Sequence, residues 1–226
     1  MLDFPFVISL KHVDLDFNHG LSGTAFALAK VWQTTGIAAY RDAALAVTNH
    51  IVATAKADGD GVAWTGAPSA ALGDGAIALY LLWAARAFGE PSLRELARRS
   101  GERTLALAEP DPRGGLKWTG FPMETLGMDH DTYLPNFEFG TAGVAYVLSR
   151  LAEETGDERF LRAAKEGAHH VQAIATVRGD AALVHKGVSD DGLIECASSA
   201  FFSAAGSCFF ASRSRASWFA LSARCG

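Results

Sequence analysis

Two ionisable side chains stand beside glycine-framed turns where they could move protons. His19 directly precedes Gly20-Leu21-Ser22-Gly23, and Asp74 lies between Gly73 and Gly75. An imidazole at the mouth of a cavity can donate a proton; it can equally cap or pack against the start of a helix. A carboxylate at a helix start can act as acid or base, but the unsatisfied N–H groups and the helix dipole there also favour it structurally. For Asp74 the structural role is the simpler expectation. The densest ionisable cluster is Asp129-His130-Asp131. It could hold a cation or act as an acid/base pair, or it is simply an exposed acidic loop. Thiol chemistry is confined to the far end, where Cys196, Cys208 and Cys225 are the only cysteines. The first 195 residues therefore offer no thiolate ligand or nucleophile, and no disulfide framework is implied. His169 and His170 are sequence neighbours and point to different helix faces, so they make no chelating pair.

These residues ride on a repeated unit. Shifting the chain by 120 residues lays Gly20, Gly23, Ala25, Leu28, Thr35, Gly36, Ala43, Ala44 and His50 on identical residues, nine identities in 32 positions. Each copy predicts a helix opened by G-x-x-G, closed by Thr-Gly, and followed by a second helix. Glycine closes it because that position takes the left-handed conformation. The first helix, about 23–34, is apolar nearly all round and so expected to be buried on most sides. The second, about 38–56, alternates polar with apolar residues and suits a half-exposed outer position. His50 and His170, at equivalent outer-helix positions, read as packing or surface residues. A more divergent copy begins at Gly73-Asp74-Gly75, at a shift of 52 or 53 with a one-residue slip, with helices near 76–87 and 92–107. The third has helices near 142–154 and 157–174. The inner-helix aromatics Phe26, Tyr80 and Tyr146 read as core, although tyrosines can also line a cavity. Residues 57–72, and the Pro- and Gly-rich stretch after 107, read as loops. Three pairs of apolar inner and amphipathic outer helices argue an all-α fold, an incomplete α/α toroid (barrel) of helical hairpin repeats. In such a toroid the inner helices ring a cavity and the G-x-x-G turns lie at its mouth.

The bulk composition narrows the function classes. The 226 residues are 49% hydrophobic and 20% charged, with a formal net charge of −5. No basic stripe speaks for nucleic acid. The start, Met1 to Asp14, lacks a basic region and carries an apolar run of only about seven residues, so we expect no signal peptide, no membrane span and a cytoplasmic protein. Residues 1–193 form the partial barrel; 194–226 are different in kind. All 25 acidic residues precede Cys196, while Cys196–Gly226 holds eight Ser and eight Ala and no repeat register. We read that segment as not continuing the fold, as a change of reading frame would produce; translating the other two frames tests this.

His19-Gly20-Leu21-Ser22-Gly23, Gly73-Asp74-Gly75 before an apolar helix, and Leu134-Pro135-Asn136-Phe137 running to Gly140-Thr141-Ala142-Gly143-Val144-Ala145-Tyr146 carry a resemblance. Over about residues 16–193 the chain resembles the lanthionine synthetase C-like family, cyclases and relatives built as an α/α barrel of helical hairpins. The third motif is the most specific. The resemblance implies a peptide partner and zinc-dependent addition of a Cys thiol to a dehydrated Ser or Thr, forming a thioether. Zinc lowers the thiol pKa so that a nucleophile exists near neutral pH, and a nearby acid or His protonates the enolate carbon. In such proteins two Cys and one His hold zinc, from a Trp-Cys turn and a Cys-His-Gly turn. Neither turn occurs in this chain, and Phe139 stands where the resemblance leads us to expect His. The resulting expectation is a lanthionine synthetase C-like protein whose chain, as written, assigns no residue to the metal. Two rivals are a carbohydrate-active toroid using carboxylates such as Asp74 and Asp129, and a non-catalytic peptide-binding scaffold. An unclosed toroid also exposes apolar inner faces and invites self-association.

Overall fold

The computed structural model describes residues 14–119, 133–178, 181–184, 187–189, 192–194 and 210–211. Six α-helices form three hairpins: α1 (Leu21–Thr35) with α2 (Ala38–Ala53), α3 (Asp74–Phe88) with α4 (Pro91–Ala106), and α5 (Thr141–Thr155) with α6 (Glu158–Ala173). Both helices of the second hairpin begin 53 residues after their counterparts in the first, and those of the third begin 120 after. The slip expected in the second copy is therefore absent; substitution within it, not an insertion, blurs the match. All three inner helices stop at a glycine in the left-handed region, Gly36, Gly89 and Gly156, with φ of 71°, 72° and 73°. Only glycine takes this conformation without cost. The outer helices start on different devices. Pro91 occupies the first turn of α4, where its missing N–H loses nothing. Asp157 caps α6 by accepting the Arg159 N–H at 2.9 Å.

The inner helices follow one another, with α1 against α3 and α3 against α5, and among the described residues they do not close a ring. The central one is buried along most of its length, from Asp74 to Ala85. α1 is less enclosed than its composition suggests, because among the described helices it packs chiefly on α2 and α3 and leaves Val31 exposed. Tyr80 of α3 is core, as expected, and Phe26 is half-buried. Tyr146 is not core: it is 45% exposed, and among the described residues no neighbouring helix covers that side of α5.

The stretches read as loops contain short antiparallel hairpins, β1 (Lys56–Asp58) with β2 (Gly61–Ala63) and β3 (Glu109–Pro110) with β4 (Leu116–Lys117), and two more follow α6, β5 (Thr176–Arg178) with β6 (Ala181–Leu183) and β7 (Gly187–Ser189) with β8 (Gly192–Ile194). β9 (Phe210–Ala211) adds to β6. β2 lies on α4 and β4 on α6, so each hairpin covers the outer helix of the next repeat. A tryptophan after each of these two strands ties it back to the preceding outer helix. The Trp64 indole N–H donates to the Ile51 carbonyl at 2.8 Å, and Trp118 donates to Thr104 at 2.8 Å. Both begin a Trp-Thr-Gly triplet, at 64–66 and 118–120.

The first hairpin is joined to the central helix by one buried polar contact. Thr48 of α2 and Tyr80 of α3 pair through their hydroxyls at 2.5 Å, with burial pushing the Tyr80 phenol up to about 12. Thr48→Val keeps the shape and strands the phenol, so it is expected to cost about 1–2 kcal/mol in urea unfolding, where an isosteric swap without a lost partner costs less. No change in the unfolding midpoint would mean that Tyr80 finds another partner.

Candidate functional site

Each inner helix begins on the same construction. Its N-cap is a glycine in extended backbone, Gly20, Gly73 or Gly140, and no side chain caps it. The exposed N–H groups of the first turn are met instead by carbonyls of the preceding loop. Leu21 donates to Asp14 at 2.8 Å, Asp74 to Ala67 at 2.7 Å, and Thr141 to Leu134 at 3.2 Å, each seven residues back. The next turn repeats this in part, with Ser22 donating to Leu15, Ala76 to Ser69, and Ala142 to Pro135. Such backbone capping satisfies the orphan donors of a helix start, but it requires the loop to lie on the helix. A Cβ on Gly140 would be driven into the Leu134 carbonyl, and one on Gly143 into Phe137. The glycines of G-x-x-G are therefore spacers for a close-lying loop.

One polar side chain folds each loop. Asp16, Ser69 and Asn136 hold equivalent positions and accept the N–H three residues on: His19 at 2.8 Å, Leu72 at 3.2 Å and Phe139 at 2.8 Å. These are the local turns that short polar side chains make. The second and third loops are then joined, the Ser69 hydroxyl donating to the Glu138 carbonyl at 2.7 Å and the Ala71 N–H to the same carbonyl at 3.2 Å. The sequence reading missed this trio; a short polar residue four before the first glycine was its signal.

The residue just before each glycine has three fates. His19 is exposed, and its backbone is what Asp16 holds. Leu72 is half-buried, and Phe139 is buried against Leu72 and Leu134. At the position where an imidazole would have faced the mouth, this chain has an apolar wedge between two loops.

Asp74 points elsewhere. It is 3% exposed; Oδ1 accepts the N–H groups of Trp64 (3.0 Å) and Thr65 (2.7 Å) and the Thr65 hydroxyl (3.0 Å), while Oδ2 accepts the Gly66 N–H at 3.1 Å. Its carboxylate thus clasps the Trp-Thr-Gly turn after β2. Among the described residues no hydrogen bond joins His19 to Asp74, and nothing brings the two to one reacting centre. Asp129, His130 and Asp131 lie outside the described residues, as do Cys196, Cys208 and Cys225. Among those described, no three His, Cys, Asp or Glu come close enough to hold a metal ion, so they do not fit zinc and no step is assigned to it.

The exposed side of this region carries a repeated aromatic pair. Phe17 meets Phe26 with ring centroids 5.4 Å apart, and 120 residues later Phe137 meets Tyr146, also at 5.4 Å. The second copy has Ala70 and Leu79 at these places. Phe26 also packs on Trp83 at 4.6 Å, and the Lys30 ammonium lies over both rings. Phe17, Phe137 and Tyr146 stand 38%, 45% and 45% exposed beside the glycine loops, a surface suited to apolar side chains of a ligand. Among the described residues no helix is long and apolar enough to cross a membrane.

Comparison with known proteins follows the same boundaries. The family model for lanthionine synthetase C-like protein matches residues 11–172, from the lead-in to the first motif through most of α6. No curated protein matches the chain.

Proposed function

Because the chain belongs to the lanthionine synthetase C-like family, we propose that its three hairpins form the peptide-holding wall of such a protein. Related members are zinc-dependent cyclases that join Cys thiols to dehydrated Ser or Thr. The observation that carries the reading is the aromatic pair, Phe17 with Phe26 and Phe137 with Tyr146, at matching places in two repeats, with Phe17, Phe137 and Tyr146 exposed. Rings held by their neighbours bind apolar side chains with little loss of their own freedom. Family membership favours this over a carbohydrate-active toroid, whose acid or base at Asp74 would sit among four donors. The described residues supply zinc with no ligand set, so the role proposed for them is binding. His19, exposed beside the first pair, is the candidate proton donor to a bound peptide.

The test uses the full chain and a fluorescent peptide containing dehydroalanine and cysteine. Phe137→Ala with Tyr146→Ala is expected to weaken binding about tenfold, on the order of 1.4 kcal/mol, with unfolding midpoints little changed because both residues are exposed. Equal binding by wild type and double variant sinks the reading. Bound zinc together with chelator-sensitive thioether formation would extend it to cyclisation. Self-association belongs to the same proposal: the side of α1 that no described element covers, with Val31 exposed, predicts a dimer or larger species by light scattering, and a monomer counts against it.

A further inference from the structure

A second polar cluster lies away from the glycine loops, where the β3–β4 hairpin and the segment from Tyr133 meet α6. His170 of α6 is fully buried, and its Nδ1 lies 3.2 Å from the Gly114 carbonyl. A carbonyl only accepts, so Nδ1 carries the proton and Nε2 is bare. That Nε2 is buried and, among the described residues, has no hydrogen-bond partner. The ring packs against Tyr133, centroids 5.5 Å apart. The Tyr133 hydroxyl donates to Asp111 Oδ2 at 3.1 Å and accepts from Arg113 Nη2 at 3.0 Å. Asp111 is fully committed: Oδ1 takes the Arg113 N–H at 2.8 Å and Nε at 2.9 Å, and Oδ2 takes Nη2 at 3.0 Å. Lys117 lies over the Tyr133 ring at 4.6 Å. On α6 itself, Glu166 and His169 are at the surface, 3.9 Å from each other. The hairpin lies close on α6 at this point: a Cβ on Gly115 would meet the Glu166 carbonyl and the His170 N–H.

A proton added at Nε2 therefore needs an acceptor where the neighbouring carboxylate has none to spare, and two cations, Arg113 and Lys117, stand nearby. The ring can meet water only if the hairpin lifts. We propose that His170 is a proton-operated latch: neutral, it holds the β3–β4 hairpin and the Tyr133 segment on α6, and protonation releases them. Release reaches the third motif directly, since Leu134, next to Tyr133, supplies the carbonyl that caps Thr141. Burial, the largest influence, holds the His170 imidazole below its ordinary 6.5, the Gly114 carbonyl and Asp111 opposing it. A histidine depressed in the closed state favours closure above about pH 6.5 and loses that advantage as pH falls. Arg113, through its hydrogen bonds, holds the Asp111 carboxyl well below its usual 3.8, so Asp111 loses its contribution only below that pH, outside the latch's window.

Hydrogen exchange of the full chain tests this, followed by mass spectrometry between pH 7.5 and 5.5 and corrected for intrinsic rates. In the wild type, opening of 111–118 and 133–143 should increase toward tenfold per pH unit, the limit for one linked proton. His170→Phe should exchange faster at neutral pH and show no pH dependence, while His169→Gln should keep the wild-type response. The same pH dependence in His170→Phe overturns the latch. Should that variant fail to fold, NMR titration of the wild-type imidazole decides: titration below 6.5 supports the latch, and at or above 6.5 overturns it.

Discussion

Gly140→Ala is expected to be the most damaging single methyl added to this protein. A Cβ there meets the Leu134 carbonyl oxygen and carbon and the Asn136 nitrogen, all main chain, so no side chain can turn aside. The loop must lift, which breaks the Thr141-to-Leu134 and Ala142-to-Pro135 hydrogen bonds that cap α5, and disturbs the Ser69–Glu138 contact to the neighbouring loop. Overpacking of a tight site costs about 1–3 kcal/mol and loss of a helix cap about 0.5–2 kcal/mol, so a loss of roughly 3–5 kcal/mol is expected in urea unfolding. Gly156→Ala is the control. That glycine has φ of 73° and, among the described residues, open space where a Cβ would stand, so the left-handed conformation is what opposes alanine, at about 1–2 kcal/mol. If Gly140→Ala costs no more than Gly156→Ala, close loop packing is not what the G-x-x-G glycines serve.

Asp74→Ala follows closely. Four donors of residues 64–66 converge on this buried carboxylate, and removing it strands the three backbone N–H groups while the Thr65 hydroxyl keeps the Ala67 carbonyl at 3.5 Å. An unsatisfied buried donor costs about 1–3 kcal/mol; with some reaching water as the turn loosens, a total near 3–4 kcal/mol is expected, read as a lowered denaturation midpoint. Trp64, whose indole is tied to Ile51, should show a changed emission maximum as the turn loosens. Asp74→Asn keeps one oxygen but directs an amide N–H toward a backbone donor, either the Gly66 N–H or those of Trp64 and Thr65, and should fall between. An Asn variant with wild-type stability but no thioether-forming activity would return Asp74 to catalysis.

The legibility of the chain divides along a physical line. The helices could be read because their signals are local. Gly36 and Gly156 stop their helices by their own backbone freedom, and apolar spacing makes a face whatever it is packed on. The family was readable for the same reason, its motif being a set of consecutive residues whose glycines are required by a loop carbonyl six residues back. The Asp16, Ser69 and Asn136 turns were within reach too, once the glycine registers were aligned. The β hairpins escaped because strands of two or three residues carry almost no periodicity.

What the sequence by itself determined is the hairpin unit, its three-fold recurrence, the family, and the want of a thiolate in the first 195 residues, since each is a matter of residue type and short spacing. Only the tertiary structure decided which way the polar residues face. His19 and Asp74 look alike beside their glycines, yet one is exposed while the other clasps a turn eight to ten residues back. His50 and His170 are the same residue in the same repeat position, yet only His170 is fully buried, under the β3–β4 hairpin and Tyr133. Burial is a property of what a repeat packs against, and related repeats at different places in the chain have different neighbours.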